Sequence, residues 1–390
     1  MKTFTVILLT WMCCYNNTAH EPKQEIIFPD FYLEYSIRSF LDRPTGAITQ
    51  EDLESMNRFV AVGRGIANLE GLQYATNLKN LYLDNNKISN LRPLSNLTRL
   101  EVLSLNGNDI SDVSPLENLL DVKRLALDRN NIADISALSN LKNLEGVTFN
   151  FNEIKFIEVA GNWNKLTHFN MAFNQLEDLS PLKELTNLYG IWIPENQVND
   201  ISILRDLSNL HILVLEKNPV KEISVLSRLR ELVQLNLMQT EIKDFTPISQ
   251  LPNVGVLVLR DNNISDISFL KHNTSIEWLD LRDNRLTDIS TMETLPNLRK
   301  LFLSGNQISS GVPLAGLSQL RWLDIQDTEI QSLWPLYNLE NLTDLTVAGL
   351  NLSTTENQVV VERMVSVGVQ VLKEPSIINS IFQLEPSRSN

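Results

Sequence analysis

A unit of 22 residues recurs through most of this chain without a slip in register, and it constrains the architecture more than any local propensity does. One copy reads Leu100, Leu103, Leu105, Asn108, Ile110, Asp112, Ser114, Pro115, Leu116 and Leu119. The asparagine equivalent to Asn108 returns as Asn86, Asn130, Asn152, Asn174, Asn196, Asn218, Asn262, Asn284 and Asn306, and Thr240 and Thr328 fill the two remaining slots. An apolar pair precedes each slot at a fixed offset, from Leu81 and Leu83 to Leu323 and Ile325. A chain of independent domains has no reason to keep one phase over such a distance, so one continuous stack of similar coils is expected.

The pattern L-x-x-L-x-L-x-x-N-x-L gives each position a physical task. Alternation across the Leu-x-Leu pair places Leu103 and Leu105 inward and Ser104 outward on a short strand. Successive strands, one per coil, then form a single parallel sheet. The chain must leave the strand without ladder partners, and a buried asparagine side chain, both donor and acceptor, satisfies the loop backbone of its own coil and the next. A serine or threonine six residues later, followed in several coils by proline, predicts a short helical or 3₁₀ return capped by the hydroxyl. The expected fold is therefore α/β: a right-handed β-α superhelix, the leucine-rich repeat solenoid, with a parallel concave sheet and a short helical or 3₁₀ convex side. Thr240 and Thr328 should make fewer ladder bonds than asparagine. The coil in which Phe156, Glu158, Val159, Gly161 and Trp163 replace the usual residues should bulge on its convex side.

Ends of a solenoid need covers, because no coil buries its own apolar side. Residues 26–57 read as a helical cap of two helices with Asp30 and Thr49 as N-caps, 58–352 as about 14 coils, 353–374 as a helix and closing strand, and 375–390 as a tail. Residues 1–20 read as a signal peptide: Lys2 precedes an apolar run, Phe4 to Cys14, too short to span a bilayer, and no later stretch approaches the roughly 20 apolar residues a span requires. Both cysteines, Cys13 and Cys14, lie in that segment, and lipid attachment there is the other route to the cell surface.

With 47 acidic against 33 basic residues and a net charge of -14, the surface repels polyphosphate, so nucleic acid is a poor partner. Four scattered histidines and no cysteine after residue 14 argue against a zinc or thiol enzyme. No Ser-His-Asp order, phosphate-binding glycine loop or acid-base pair stands out, so neither catalysis nor a cofactor is expected. The column Asp112, Asp134, Asp178, Asp200, Asp244, Asp266 and Asp288 stacks one carboxylate per coil. It suits local bonds to loop backbone, with calcium the other reading.

The unit N-x-I-S-D-[IV]-S-P-L-x-x-L, behind the cap segment IFPDFYLEYSIRSFLDRPTGAITQEDLESM and the stretch GIANLEGLQYATNL, resembles the internalin-type bacterial leucine-rich repeat proteins over roughly residues 27–372. The resemblance implies a curved solenoid whose concave sheet binds another protein outside the cell, as in adhesion or host recognition. A similar 22-residue repeat in eukaryotic phosphatase regulators keeps an intracellular scaffold as an alternative.

Phase alone then selects the concave residues. Tyr82 and Trp192 lie between strand leucines, and flanking columns add Phe151, His168 and Phe173. Two aromatic clusters are expected. One is Phe151, His168, Phe173 and Trp192; the other is Trp278, Phe302 and Trp322, ringed by Arg260, Asp280, Arg282, Lys300 and Asp324. Exposed aromatics inside a charged rim are what protein hot spots are made of, although the same rings also stiffen a sheet by cross-strand stacking, and they stack on sugars. A partner protein is the leading expectation, and a glycan or cell-wall polymer the alternative.

Overall fold

The structure, a computed structural model, describes residues 25–374. The expected signal peptide, Cys13, Cys14 and the tail lie outside the described residues. Fifteen three-residue strands form one parallel sheet in strict chain order: β1 (Arg58–Val60), β2 (Asn80–Tyr82), β3 (Val102–Ser104), β4 (Arg124–Ala126), β5 (Gly146–Thr148), β6 (His168–Asn170), β7 (Gly190–Trp192), β8 (Ile212–Val214), β9 (Gln234–Asn236), β10 (Val256–Val258), β11 (Trp278–Asp280), β12 (Lys300–Phe302), β13 (Trp322–Asp324), β14 (Asp344–Thr346) and β15 (Gln370–Leu372). From β1 to β14, each residue pairs with the one 22 positions on, as in Leu81 with Leu103, so the sequence period is the sheet register. This is the leucine-rich repeat solenoid.

The ladder asparagines bridge coils as their chemistry predicts. Asn108 accepts the Ile88 N–H at 3.0 Å and donates to Leu83 O at 3.1 Å and to Leu105 O at 2.9 Å, so it ties the preceding coil to its own. Thr328 keeps only its bond to Ile325 O, at 2.8 Å, and Thr240 replaces the missing amide by donating to the Asn262 side chain. Leu103, Leu105, Leu116 and Leu119 are buried in the core between sheet and return turn.

The return turns differ from expectation in what caps them. Ser114 is the first residue of its 3₁₀ turn, and its hydroxyl caps nothing. The acceptor is Asp112, whose Oδ1 takes the Ser114 N–H at 2.8 Å; Asp134, Asp178, Asp200, Asp244, Asp266 and Asp288 repeat the bond. A carboxylate two residues back reaches the free N–H with less strain than a hydroxyl on the turn itself. The Ser114 and Thr246 hydroxyls together with these N–H groups hold Asp112 and Asp244 below the ordinary carboxylate range, and the N–H groups of Ser136 and Ser202, with their hydroxyls, do the same for Asp134 and Asp200. The expected bulge is absent: the turn Glu158–Asn162 is as long as Ser136–Asn140 and Ser202–Asp206, and Trp163 is buried in the slot that leucine fills in the adjacent coils.

The N-terminal cap consists of α1 (Phe31–Phe40) and α2 (Gln50–Glu54), with Asp30 and Thr49 as their N-caps. Asp30 does more than cap. One oxygen accepts from Tyr32 N and Leu33 N, and the other accepts from Ala67 N at 2.7 Å and Asn68 N at 3.0 Å, which binds the helix to the first coil. Burial opposes ionisation of Asp30, but these four N–H groups outweigh it and lower its pKa. A depressed carboxylate pKa means stability that is present above the unfolded pKa and lost as pH falls through the folded one. Asp30→Ala is therefore expected to cost about 0.5–2 kcal/mol at neutral pH, a deficit that shrinks toward zero in acid; urea melts at pH 7 and pH 3 measure it.

At the other end, α3 (Thr355–Ser366) and β15 close the stack. The buried Asn357 on α3 accepts from Leu333 N at 2.8 Å and donates to Gln331 O and Asn351 O. It ties the closing helix to the last coils through backbone groups other than those a ladder asparagine at position 350 would meet.

Candidate functional site

The concave face is not uniform along its length. In the column between the strand leucines, Val214, Asn236, Val258, Asp280, Phe302, Asp324 and Thr346 are all buried, whereas Ala126, Thr148, Asn170 and Trp192 are partly open. Access therefore concentrates over β4 to β7.

This corrects the expectation for the second cluster. Phe302 is 1% exposed, between Trp278 and Trp322 with ring centroids 6.0 and 5.9 Å away. Lys300 Nζ lies 4.4 Å from the Trp278 ring and 5.8 Å from that of Trp322. Beneath them Arg282 is buried against Asp280, with Nε 2.9 and 3.1 Å from the two carboxylate oxygens, and its guanidinium stands 5.2 Å from the Phe302 ring. Asp324 is buried too, accepting from Ser304 Oγ at 2.9 Å, and burial raises its pKa despite that bond and the Gln326 N–H. Phe302, Asp280, Arg282 and Asp324 thus face each other rather than solvent. Strands about 4.8 Å apart leave no gap between side chains this large, so they cover one another. Trp278, Lys300 and Trp322 remain half-buried. Arg260 turns away from the cluster to pair with Asp283 at 2.8 Å.

The first cluster is open, and it divides into two rows. In the column just before the ladder asparagine, Arg129, Phe151 and Phe173 stack in three successive coils: the guanidinium is 4.2 Å from the Phe151 ring, and the two phenyl rings lie 4.2 Å apart at 10°. The phenylalanines are 38% and 41% exposed. They also sit at φ of 57° and 55°, in the left-handed region that this turn imposes on every coil, where other coils place Asn85, Gly107, Asp261 or Gly305 but also the polar side chains of Arg129, Glu195, Lys217 and Gln239. Such a conformation costs a bulky L-residue about 1–2 kcal/mol. Neither folding preference nor burial accounts for two phenylalanines there.

The second row begins at the other end of the strands. His168 stacks on Trp192, 5.8 Å apart at 8°, and approaches Tyr189, which stacks on His211 at 4.5 Å. Tyr189 and His211 escaped the sequence reading, although they share one phase in adjacent coils and that coincidence was available. The indole of Trp192 lies flat over Gly190, where a Cβ would stand 2.2 Å from the ring. Partial burial, with Arg124 nearby, lowers the His168 pKa. Tyr82 joins neither row; Arg58 covers it at 5.4 Å.

A second ladder, not foreseen, supports this floor. Asp84, Asn106, Asp128 and Asn150 each accept the N–H 22 residues on, at 2.7–2.9 Å, until Ala172 and Pro194 end the series for want of an acceptor and a donor. Burial raises the Asp128 pKa, and its bonds to the next coil oppose that. Among the described residues no group of three or more His, Cys, Asp or Glu side chains could hold a metal, and no helix is long and apolar enough to cross a membrane.

Family models for leucine-rich repeats match residues 76–118, 252–308 and 297–320. No curated protein sequence matches the chain. Among solved structures, the internalin InlF of Listeria monocytogenes is 32% identical, with 82% of this chain and 95% of that one covered and a TM-score of 0.77. Internalin C2 of the same organism is also 32% identical, over 56% of this chain and 95% of its own, at a TM-score of 0.52. A leucine-rich repeat protein of Leptospira interrogans shares the fold at 19% identity, covering 83% and 97% of the two chains at a TM-score of 0.73. With its 22-residue period, its asparagine ladder and this likeness to InlF along nearly the whole of that structure, the chain belongs to the internalin-like bacterial leucine-rich repeat proteins.

Proposed function

We propose that this protein is a non-enzymatic binding module, secreted or held at the bacterial surface, which grips a partner protein on the concave face over β4 to β8. The observation that carries the reading is the exposed stack Arg129, Phe151, Phe173, maintained against a backbone conformation that disfavours phenylalanine. Strain of this kind collects at functional sites. The parallel row of His168, Trp192, Tyr189 and His211 adds rigid amphipathic area of the sort that dominates binding energy. Trp278, Lys300 and Trp322 form at most a rim, since their neighbours are buried.

The structural alternative, rings that merely stiffen the sheet, makes the opposite forecast for one variant. A stacked pair is worth about 0.5–1.5 kcal/mol, no more than the left-handed backbone costs. The double variant Phe151→Asn, Phe173→Asn, which places in this column the residue already found at position 85, should therefore melt at the wild-type temperature or above it. Its binding to partners found on an array of purified extracellular protein domains should fall at least tenfold. A lower melting temperature with unchanged affinity would return the rings to the fold, and hits confined to a parallel glycan array would favour the carbohydrate reading. Export rests on the apolar run from Phe4 to Cys14; an intact Met1 on the native protein would exclude it.

A further inference from the structure

Between the two aromatic rows the concave floor has a gap, and the residues around it select a chemistry. Across β4 to β7 the first strand position reads Arg124, Gly146, His168, Gly190, in direct register. Both glycines remove a side chain from this column, with opposite results. Over Gly190 the space is taken by Trp192. Over Gly146 it is not: the nearest atom to where a Cβ would stand is the His168 Cβ, at 4.0 Å. Two strand spacings, roughly 10 Å, separate the Arg124 and His168 backbones, so a notch one side chain wide opens between an exposed guanidinium and an imidazole.

We infer that this notch receives a side-chain carboxylate, an aspartate or glutamate of the partner protein, while an adjoining apolar side chain of that partner rests on Trp192. The inference depends on the concave face being the binding face. Charge complementarity commits it to an acidic group. Among the described residues Arg124 has no ion-pair partner, and Arg129 stands over the Phe151 ring while favouring the ionised form of Asp128. Two of the carboxylates nearby are already engaged, Glu101 by Lys79 and Lys123 at 3.1 and 2.7 Å, and Asp128 by the Asn150 N–H. Glu145, next to the notch in sequence, is exposed and adds to the field at Lys123. A guanidinium offers paired N–H donors to a carboxylate, and the imidazole, whose Nδ1 meets Thr167 Oγ1 at 2.8 Å, walls the other side of the notch.

The test uses the full chain and a phage-displayed library of random dodecapeptides. Selected peptides, synthesised with amidated C-termini so that any carboxylate belongs to a side chain, are titrated against wild type, Arg124→Ala, Gly146→Val and the Phe151→Asn, Phe173→Asn double variant. The expected result is that one Asp or Glu recurs, and that replacing it by its amide weakens binding to wild type about tenfold but changes binding to Arg124→Ala less than twofold. Gly146→Val, which fills the notch and keeps Arg124 and His168, should lose the same discrimination. Peptides that depend on Phe151 and Phe173 but bind Arg124→Ala as well as wild type would overturn the notch and leave the binding face standing. A library that yields no peptide sensitive to either set would overturn both.

Discussion

Trp163→Ala is expected to lower the stability of the coils around it by about 3–5 kcal/mol, the loss seen when a large buried aromatic is truncated. Trp163 is fully buried, and its Nε1 donates to Leu138 O across the stack at 3.2 Å. Leu138 O keeps the bond from Leu141 N, so the loss is chiefly a cavity rather than an orphaned carbonyl. Trp163→Leu, which restores the residue of the neighbouring coils, should therefore cost well under half as much. The damage should also be local, because coils contact only their neighbours. Hydrogen exchange should show protection falling first in β5, β6 and β7 and least in β12 to β14. An equal fall across all strands would mean that the stack unfolds as one cooperative body and would contradict the nearest-neighbour account.

How far the fold was legible follows from what a period can encode. A task that each coil performs with the same residue type leaves a column in the sequence, and the ladder asparagines, the inward leucines and the Asp30 and Thr49 caps were all visible in that way. A task shared between chemically equivalent types blurs. The concave ladder alternates Asp84, Asn106, Asp128 and Asn150. The column of Asp112 and its equivalents was legible as a source of local bonds to loop backbone, but the cap of the return turn was expected of the serine two positions on. Asn357 was illegible for a different reason: it fastens the closing helix to the last coils from outside the repeat, out of phase with every column. The candidate site was half visible. Phase placed Phe151, Phe173, His168 and Trp192 on the concave side, but it says nothing of how neighbouring side chains cover one another, which is what buried Phe302, Asp280, Arg282 and Asp324 and left the first cluster open. Backbone strain at Phe151 and Phe173 was written in the sequence all along, as two phenylalanines in a column otherwise held by glycine and polar residues.

Arg282→Ala should be about as damaging as the tryptophan truncation, for an electrostatic reason and with a pH signature that the truncation lacks. Removing one partner of a buried ion pair costs about 3–5 kcal/mol because the other charge stays buried without compensation. Here two carboxylates would be left, Asp280, bonded directly to Arg282, and Asp324, whose ionised form Arg282 also favours. Burial already raises the Asp324 pKa in the intact protein, and loss of the guanidinium must raise it further. A raised folded-state pKa means stability that is full below the unfolded pKa and lost as pH rises through the folded one. The deficit of Arg282→Ala should thus be largest at neutral pH and should diminish as pH falls toward 4 and Asp324 takes up its proton. Adding Asp280→Asn and Asp324→Asn to an Arg282→Met background should recover most of the loss at pH 7, since a buried ion pair replaced as a whole is often neutral. Chemical denaturation of the three proteins between pH 4 and pH 8 measures both effects, and a deficit that does not change with pH would show that Arg282 acts through packing alone. The same variants separate fold from recognition: β11 to β13 lie several coils from Phe151 and Phe173, so once refolded by the compensating changes the protein should bind its partner with unaltered affinity.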